Sequence, residues 1–166
     1  MVKILPVDPS PAGGESLAPF LAASANWSLD RPELTAAQAL RDPQLSGYLA
    51  GWGRPGDIGV LAVADDGTGV LGAAWARIFP AAEAGAGFVS ETIPELLVAV
   101  DRDSQGSGLG TRLLHALFGL LRYNGATGVS AGVAQTNSAI GLFARLGFRE
   151  VGTGEGIAIL LKDLCA

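Results

Sequence analysis

The stretch VAVDRDSQGSGLGTRLL, Val98 to Leu114, decides how the chain is read. An apolar run, Val98–Val100, stops at the polar turn Asp101–Ser104. Gly106, Gly108 and Gly110 follow at alternate positions, and a helix-periodic apolar run begins at once. Strand, glycine loop and helix start are the parts of an anion site. A helix N-terminus leaves backbone N–H groups unpartnered and carries a partial positive charge. Glycines let a phosphate approach those groups without a Cβ in the way. A phosphorylated ligand is therefore expected at this loop.

The rest of the composition narrows the setting. The chain has 166 residues, 49% hydrophobic and 16% charged, which suits one domain over residues 1–166 with a real core. A net charge of -5 and a pI near 4.7 argue against nucleic-acid or anionic-membrane partners. A local anion site built from backbone amides is still compatible with that charge. No uncharged apolar run reaches the roughly 20 residues of a membrane helix. The short Met1–Val7 run, broken by Pro6, is no signal peptide. The single Cys165 makes no internal disulfide, so a cytoplasmic location is expected. One histidine and one cysteine far apart form no metal cluster.

Working outward, Glu95–Val100 reads as the strand feeding the loop and Thr111–Tyr123 as the helix leaving it, closed by Gly125. Upstream, Ile58–Ala64 and Val70–Phe79 form a hairpin around Asp65–Gly69. Pro80–Gly87 reads as an exposed, mobile loop. Val2–Val7 is a first strand, and Pro9–Gly14 a loop. Glu15–Ser24 is a helix, 26–32 irregular, Thr35–Leu40 a capped helix and Leu45–Trp52 a helical turn. Downstream come a strand at Gly128–Ala134, a helix at Asn137–Leu146, and strands at Phe148–Val151 and Gly156–Leu161. The order specifies an α/β domain with a mixed central sheet flanked by helices.

Two familiar phosphate loops do not fit. A nucleoside-triphosphatase loop needs Lys after its last glycine, and this chain has Thr111. A dinucleotide loop needs G-x-G-x-x-G and an acid about 20 residues on. Here the glycine spacing is one short, and no acid lies between Asp103 and Glu150. The pattern Gln-x-x-Gly-x-Gly, filled by Gln105, Gly108 and Gly110, resembles the acyl-coenzyme A loop of the GNAT acetyltransferase superfamily. NSAIGLFARLGF, Asn137–Phe148, resembles that superfamily's next helix, and ETIPELLVAV, Glu91–Val100, its preceding strand. With the hairpin, the resemblance covers roughly Ile58–Leu161.

That resemblance implies a bacterial N-acetyltransferase of GNAT-like α/β fold that uses acetyl-CoA as cosubstrate and no metal. By analogy, the N–H groups of Gln105, Gly106, Ser107, Gly108, Leu109, Gly110 and Thr111 bind the coenzyme pyrophosphate. The strand residues Leu97, Val98, Ala99 and Val100 pair with the pantetheine arm where the strand splays from its neighbour. Asn137 contacts the pantetheine side. Where the family often has a tyrosine acting as acid toward the thiolate, this chain has Phe143, placed at the cofactor site or in the core; a phenyl ring cannot donate a proton. Ser107 stands where Lys or Arg is common.

Acyl transfer to an amine needs a base for the amine proton and a donor for the thioester oxyanion. Glu95 is the first candidate base and Glu91 the second; an N–H near Val98 is the candidate oxyanion donor. Each carboxylate also has a plainer role at a strand start. Trp75 and Arg77, two apart, share one side of their strand, as acceptor-pocket wall or sheet cover. Tyr48, Trp52 and Trp27 fall in the region where the family builds its acceptor pocket, with packing as the other role. His115 reads as a solvated helix residue. The acceptor is an amine-bearing small molecule or a protein N-terminus, and a homodimer is compatible with the family. A sensor that binds coenzyme A without turnover is the alternative, motivated by Phe143.

Overall fold

The computed structural model describes residues 2–26 and 33–165. Trp27 and residues 27–32 of the irregular stretch expected at 26–32 lie outside them. Seven strands form one mixed sheet. β1 (Val2–Pro6), β2 (Ile58–Ala64), β3 (Val70–Arg77) and β4 (Glu95–Val100) are antiparallel neighbours in sequence order. β5 (Gly128–Ala134) lies next to β4 and parallel to it. β7 (Ile157–Asp163) and β6 (Arg149–Gly154) complete the sheet, in the order β1-β2-β3-β4-β5-β7-β6.

Period-two alternation sorts the strands between two apolar layers. On β3, Ala74 and Ala76 face one layer, while Ala73 and Trp75 face the other. Beneath the first layer lies α3 (Leu109–Tyr123), which buries Leu109, Leu113, Leu114, Leu117, Phe118 and Leu121 on one stripe. α4 (Ala139–Arg145) adds Phe143 to that side. The second layer is covered by α1 (Pro11–Ala25), α2 (Ala36–Arg41) and a 3-10 turn at Ser46–Tyr48. Thr35 caps α2, as expected, and the structure adds a reciprocal box with Gln38.

Three expectations need correction. The Pro9–Gly14 loop ends sooner, because Pro11 takes the first helical position, where a missing N–H costs nothing. Gly13 then fits inside the helix because a Cβ there would meet Asp8 O at 1.8 Å. The helix expected from Asn137 begins at Ala139, since the Asn137 side chain spends its oxygen on the Ala139 N–H at 2.9 Å. The Pro80–Gly87 loop is exposed over 80–84 and at Ala86, but not throughout. Its far end packs inward, with Gly87 buried and its N–H on Glu95 Oε2 at 3.0 Å.

The β4–β5 pair is the feature that positions the site. Among the described residues their register holds one pair, Glu95↔Ser130, with the Ser130 N–H donating to Pro94 O at 2.9 Å. β5 then runs along β7 over its whole length, from Gly128↔Asp163 to Ala134↔Ile157. β4 keeps to β3 from Glu95 to Val100. The two strands therefore diverge toward their C-terminal ends. Since the Pro94 carbonyl lies on the β5 edge, strand alternation puts the backbone groups of Leu96, Val98 and Val100 on that edge too.

Candidate active site

The divergence opens a cleft of about 1430 Å³. One wall is Val98, Ala99 and Val100 from β4; another is the glycine loop and the start of α3. Asn137 just before α4, with Leu142 and Arg145 on it, closes it from that side, and Phe20 and Ala23 from α1. The cleft thus sits between the two candidate motifs and the helix pair of the second layer.

The loop's conformation follows from its glycines. Gly106 and Gly108 have φ of 79° and 80°, a left-handed region that costs an L-residue about 1–2 kcal/mol. Gly108 precedes the first turn of α3, whose first internal bond is Arg112 N–H to Gly108 O. The N–H groups of Gly108, Leu109, Gly110 and Thr111 find no acceptor among the described residues. They form a cradle of donors at the positive end of a 15-residue helix. Gln105 is used differently from the others. Its N–H donates to Arg102 O, and its Nε2 donates to Val100 O at 3.2 Å, so it shapes the turn. Ser107 also works within the loop, with Oγ donating to Ser104 O.

The structure brings Val98, Ala99, Val100, Gln105, Gly106, Gly108, Leu109, Gly110, Thr111 and Asn137 to one cleft. Leu97 lies elsewhere: it is paired with Trp75 across β3 and packs in the second layer. Phe143 is buried in the first layer, edge-on to Phe148 at 5.0 Å, and does not reach the cleft. Its place in the motif is met by packing.

Glu95 and Glu91 also lie outside the cleft lining. Glu91 is exposed, and its Oε2 accepts the Ala81 N–H at 2.9 Å, tying together the ends of the segment before β4. Glu95 is 2% exposed. Its Oε2 accepts from the Tyr48 hydroxyl and from the Gly87 N–H. Burial pushes its carboxyl above the ordinary carboxylate range, and the bonds from Tyr48 and Gly87 hold that rise back. The same burial, together with the neighbouring Glu95, pushes the Tyr48 phenol far above its usual value.

Trp75 and Arg77 cover the sheet and do not line the cleft. Trp75 Nε1 donates to Tyr48 O at 3.0 Å. Arg77 is fully buried in a fork on Asp57, at 2.9 and 3.0 Å, and also donates to Gly47 O at 2.9 Å. Trp52 packs in the same layer and donates to Asp8 O. His115 is exposed on α3.

Sequence reading missed the two cleft cations, Arg102 and Arg145. Arg102 is ion-paired with Glu33 across the cleft mouth. Arg145 had a legible signal, since Ala139, Leu142 and Arg145 recur at three-residue spacing and so share one helix face. Among the described residues no group of His, Cys, Asp or Glu is arranged for a metal, and no helix is long and apolar enough to cross a membrane.

Comparison with known proteins places this architecture. The acetyltransferase (GNAT) domain model matches residues 57–150, more than half of the chain, and the chain belongs to that family. No curated protein sequence matches it. The fold is similar to that of an N-acetyltransferase from Staphylococcus aureus Mu50, with 19% identity, a TM-score of 0.68 and 99% of each chain covered. It is similar to the GNAT domain of PAT from S. lividans, with 18% identity, a TM-score of 0.67, and 98% of this chain and 90% of that one covered. It is also similar to the PaiA N-acetyltransferase from Thermoplasma acidophilum, solved in complex with coenzyme A, with 16% identity, a TM-score of 0.70, and 97% and 99% covered. At these identities the likeness is one of fold.

Proposed function

We propose that the protein transfers an acetyl group from acetyl-CoA to an amine by direct attack in a ternary complex. The observation that carries this reading is the cradle of free N–H groups at Gly108–Thr111, opening into a cleft walled by the unpaired edge of β4. A pyrophosphate on the cradle gains charge-assisted hydrogen bonds and the helix-end field. Arg102 and Arg145 supply the cationic support that Ser107 does not. The pantetheine arm, which carries its own amides, takes the place of a strand beside Val98 and Val100. Asn137 spends its oxygen on the Ala139 N–H at the start of α4 and keeps its amide N–H₂ for the ligand. The Val98 N–H, on the β5 edge, is the donor for the thioester oxyanion.

In this reading Glu95 is the base. The acceptor is an amine-bearing small molecule or a protein N-terminus, and the chain works in the cytoplasm. The coenzyme A sensor is kept as a second reading, because Glu95 lies outside the cleft lining and position 143 offers no phenol. Thiol release from acetyl-CoA against a panel of primary amines and free-N-terminal peptides tests the choice. Amine-dependent release supports transfer. Tight binding with no release against any amine supports the sensor.

A further inference from the structure

We propose that Tyr48 is a positioning residue for transfer: with the Gly87 N–H it saturates Oε2 of Glu95, leaving Oε1 as the single oxygen that takes the acceptor's proton. The inference rests on the reading of Glu95 as base. In the step, the amine lone pair forms the C–N bond to the thioester carbon and the N–H proton goes to Oε1. The C–S bond breaks with its electron pair on the coenzyme sulfur, and solvent protonates the thiolate.

The geometry separates the two carboxylate oxygens. Oε2 has two donors, the Tyr48 O–H and the Gly87 N–H. Oε1 is buried and has no partner among the described residues. A buried carboxylate oxygen without a donor is costly, and few native structures keep one without a use for it. Ser130, paired with Glu95 across the start of the strand divergence, has a hydroxyl that is equally buried and unpartnered.

The phenol is held from several directions. Its ring lies edge-on to Phe79 at 5.5 Å, and its oxygen accepts the Ala86 N–H at 3.3 Å. Both buried polar groups of β3 grip the backbone beside it: Trp75 Nε1 on Tyr48 O, and Arg77 Nη1 on Gly47 O. Arg77 also sits opposite Glu95 in the sheet register, yet its charge is committed to Asp57. The groups facing Glu95 are therefore Tyr48 from the 3-10 turn, Arg77 with Asp57 behind it from β3, Ser130 from β5, and the backbone of the segment before β4. That segment's own carboxylates are spent outward, Glu91 on Ala81 and Glu83 toward Arg54. Of these groups, Tyr48 is the one side chain that donates to Glu95.

The segment before β4 also packs against the carboxylate. A Cβ on Gly85 would lie 2.6 Å from Glu95 Oε1 and 2.4 Å from the Tyr48 hydroxyl. Gly87 lies against Gly132 of β5, where a Cβ would meet backbone at 2.2 Å. Glycine at 85 thus lets this segment close over Oε1 and the Tyr48 hydroxyl, which a side chain there would push apart.

The test uses the full chain with carboxyl-labelled glutamate, the Glu95 signal being assigned by its loss in Glu95→Gln. Tyr48→Phe keeps the ring against Phe79 and removes only the donor. The titration midpoint of Glu95 should rise by about one pH unit. The acid limb of kcat/KM for acetyl transfer to a primary amine should rise with it, a loss of about tenfold below the limb. Biosynthetic 3-fluorotyrosine, which labels only Tyr48 and the exposed Tyr123, is a near-isosteric second probe. Its stronger donor should move both midpoints down. A limb of kcat/KM unmoved by either probe overturns the inference, since a merely structural Tyr48 shifts the Glu95 midpoint and the stability but not the limb. Midpoints that move while Glu95→Gln transfers undiminished, or a wild type that binds acetyl-CoA and acetylates no amine, overturn the reading beneath it and the inference with it.

Discussion

Gly110→Ala separates folding from ligand binding at the loop. Gly110 is the second residue of α3, and its φ is not positive. A Cβ built there meets Leu142 Cδ2 and Val100 Cγ2, each at 3.8 Å, which is ordinary contact. Alanine in place of glycine in a helix stabilises by up to about 1 kcal/mol. At roughly 2–4 °C per kcal/mol for a chain of this size, the unliganded Tm should rise by up to about 4 °C. Val100 and Leu142 both line the cleft, so the new methyl enters ligand space. Acetyl-CoA at about 100 times its Kd stabilises the wild type by about 2.7 kcal/mol, roughly 5–10 °C. A tenfold loss of affinity cuts that to about 1.4 kcal/mol, half the shift. The assay is thermal unfolding of both proteins with and without acetyl-CoA. Gly108→Ala is the contrast: at φ 80° it should cost about 1–2 kcal/mol before any ligand is added. If Gly110→Ala gains as much from acetyl-CoA as the wild type does, the cleft is not the coenzyme site.

Phe143→Tyr places a hydroxyl in the packed layer against Phe148 and should cost about 1–3 kcal/mol in urea unfolding, with thiol release unchanged; faster release would mean that the ring reaches the chemistry. Arg77→Met leaves Asp57 buried without its partner and should cost about 3–5 kcal/mol, with part recovered by adding Asp57→Leu; an unchanged midpoint would show that the pair contributes nothing. Burial lifts the folded Glu95 carboxyl above its usual 4.5, so the folded state keeps a proton that the unfolded chain has released. This contribution to stability is fully present below pH 4.5 and declines as pH rises toward the lifted value. The Tm of Glu95→Gln relative to wild type should therefore climb with pH from about 4.5. A difference that is flat with pH contradicts the burial argument.

The parts that were legible from sequence are local. Alternate glycines before a helix-periodic run specify a glycine loop at a helix start, and the structure has it, with positive φ at Gly106 and Gly108. Strand alternation and the Thr35 cap likewise need only neighbours in the chain. The parts that were not legible depend on distant pairing. Tyr48 and Glu95 are 47 residues apart, and nothing near either names the other. Asp57 is the buried counter-ion of Arg77, 20 residues on. The inward packing of Gly87 depends on Gly132 approaching from β5, which no property of a small-residue loop reveals. Glu95 stood out by its place at the start of β4, but its burial came from three separate segments closing around it.

The most direct test follows the backbone amide resonances of the loop as ligand is added. With acetyl-CoA, the N–H signals of Gly108, Leu109, Gly110 and Thr111 should shift strongly, together with Val98 and Val100. With S-acetylpantetheine, which lacks the phosphates, Val98 and Val100 should shift while the loop stays still. Loop signals unmoved by acetyl-CoA, or moved equally by both compounds, would contradict a coenzyme pyrophosphate seated on the start of α3.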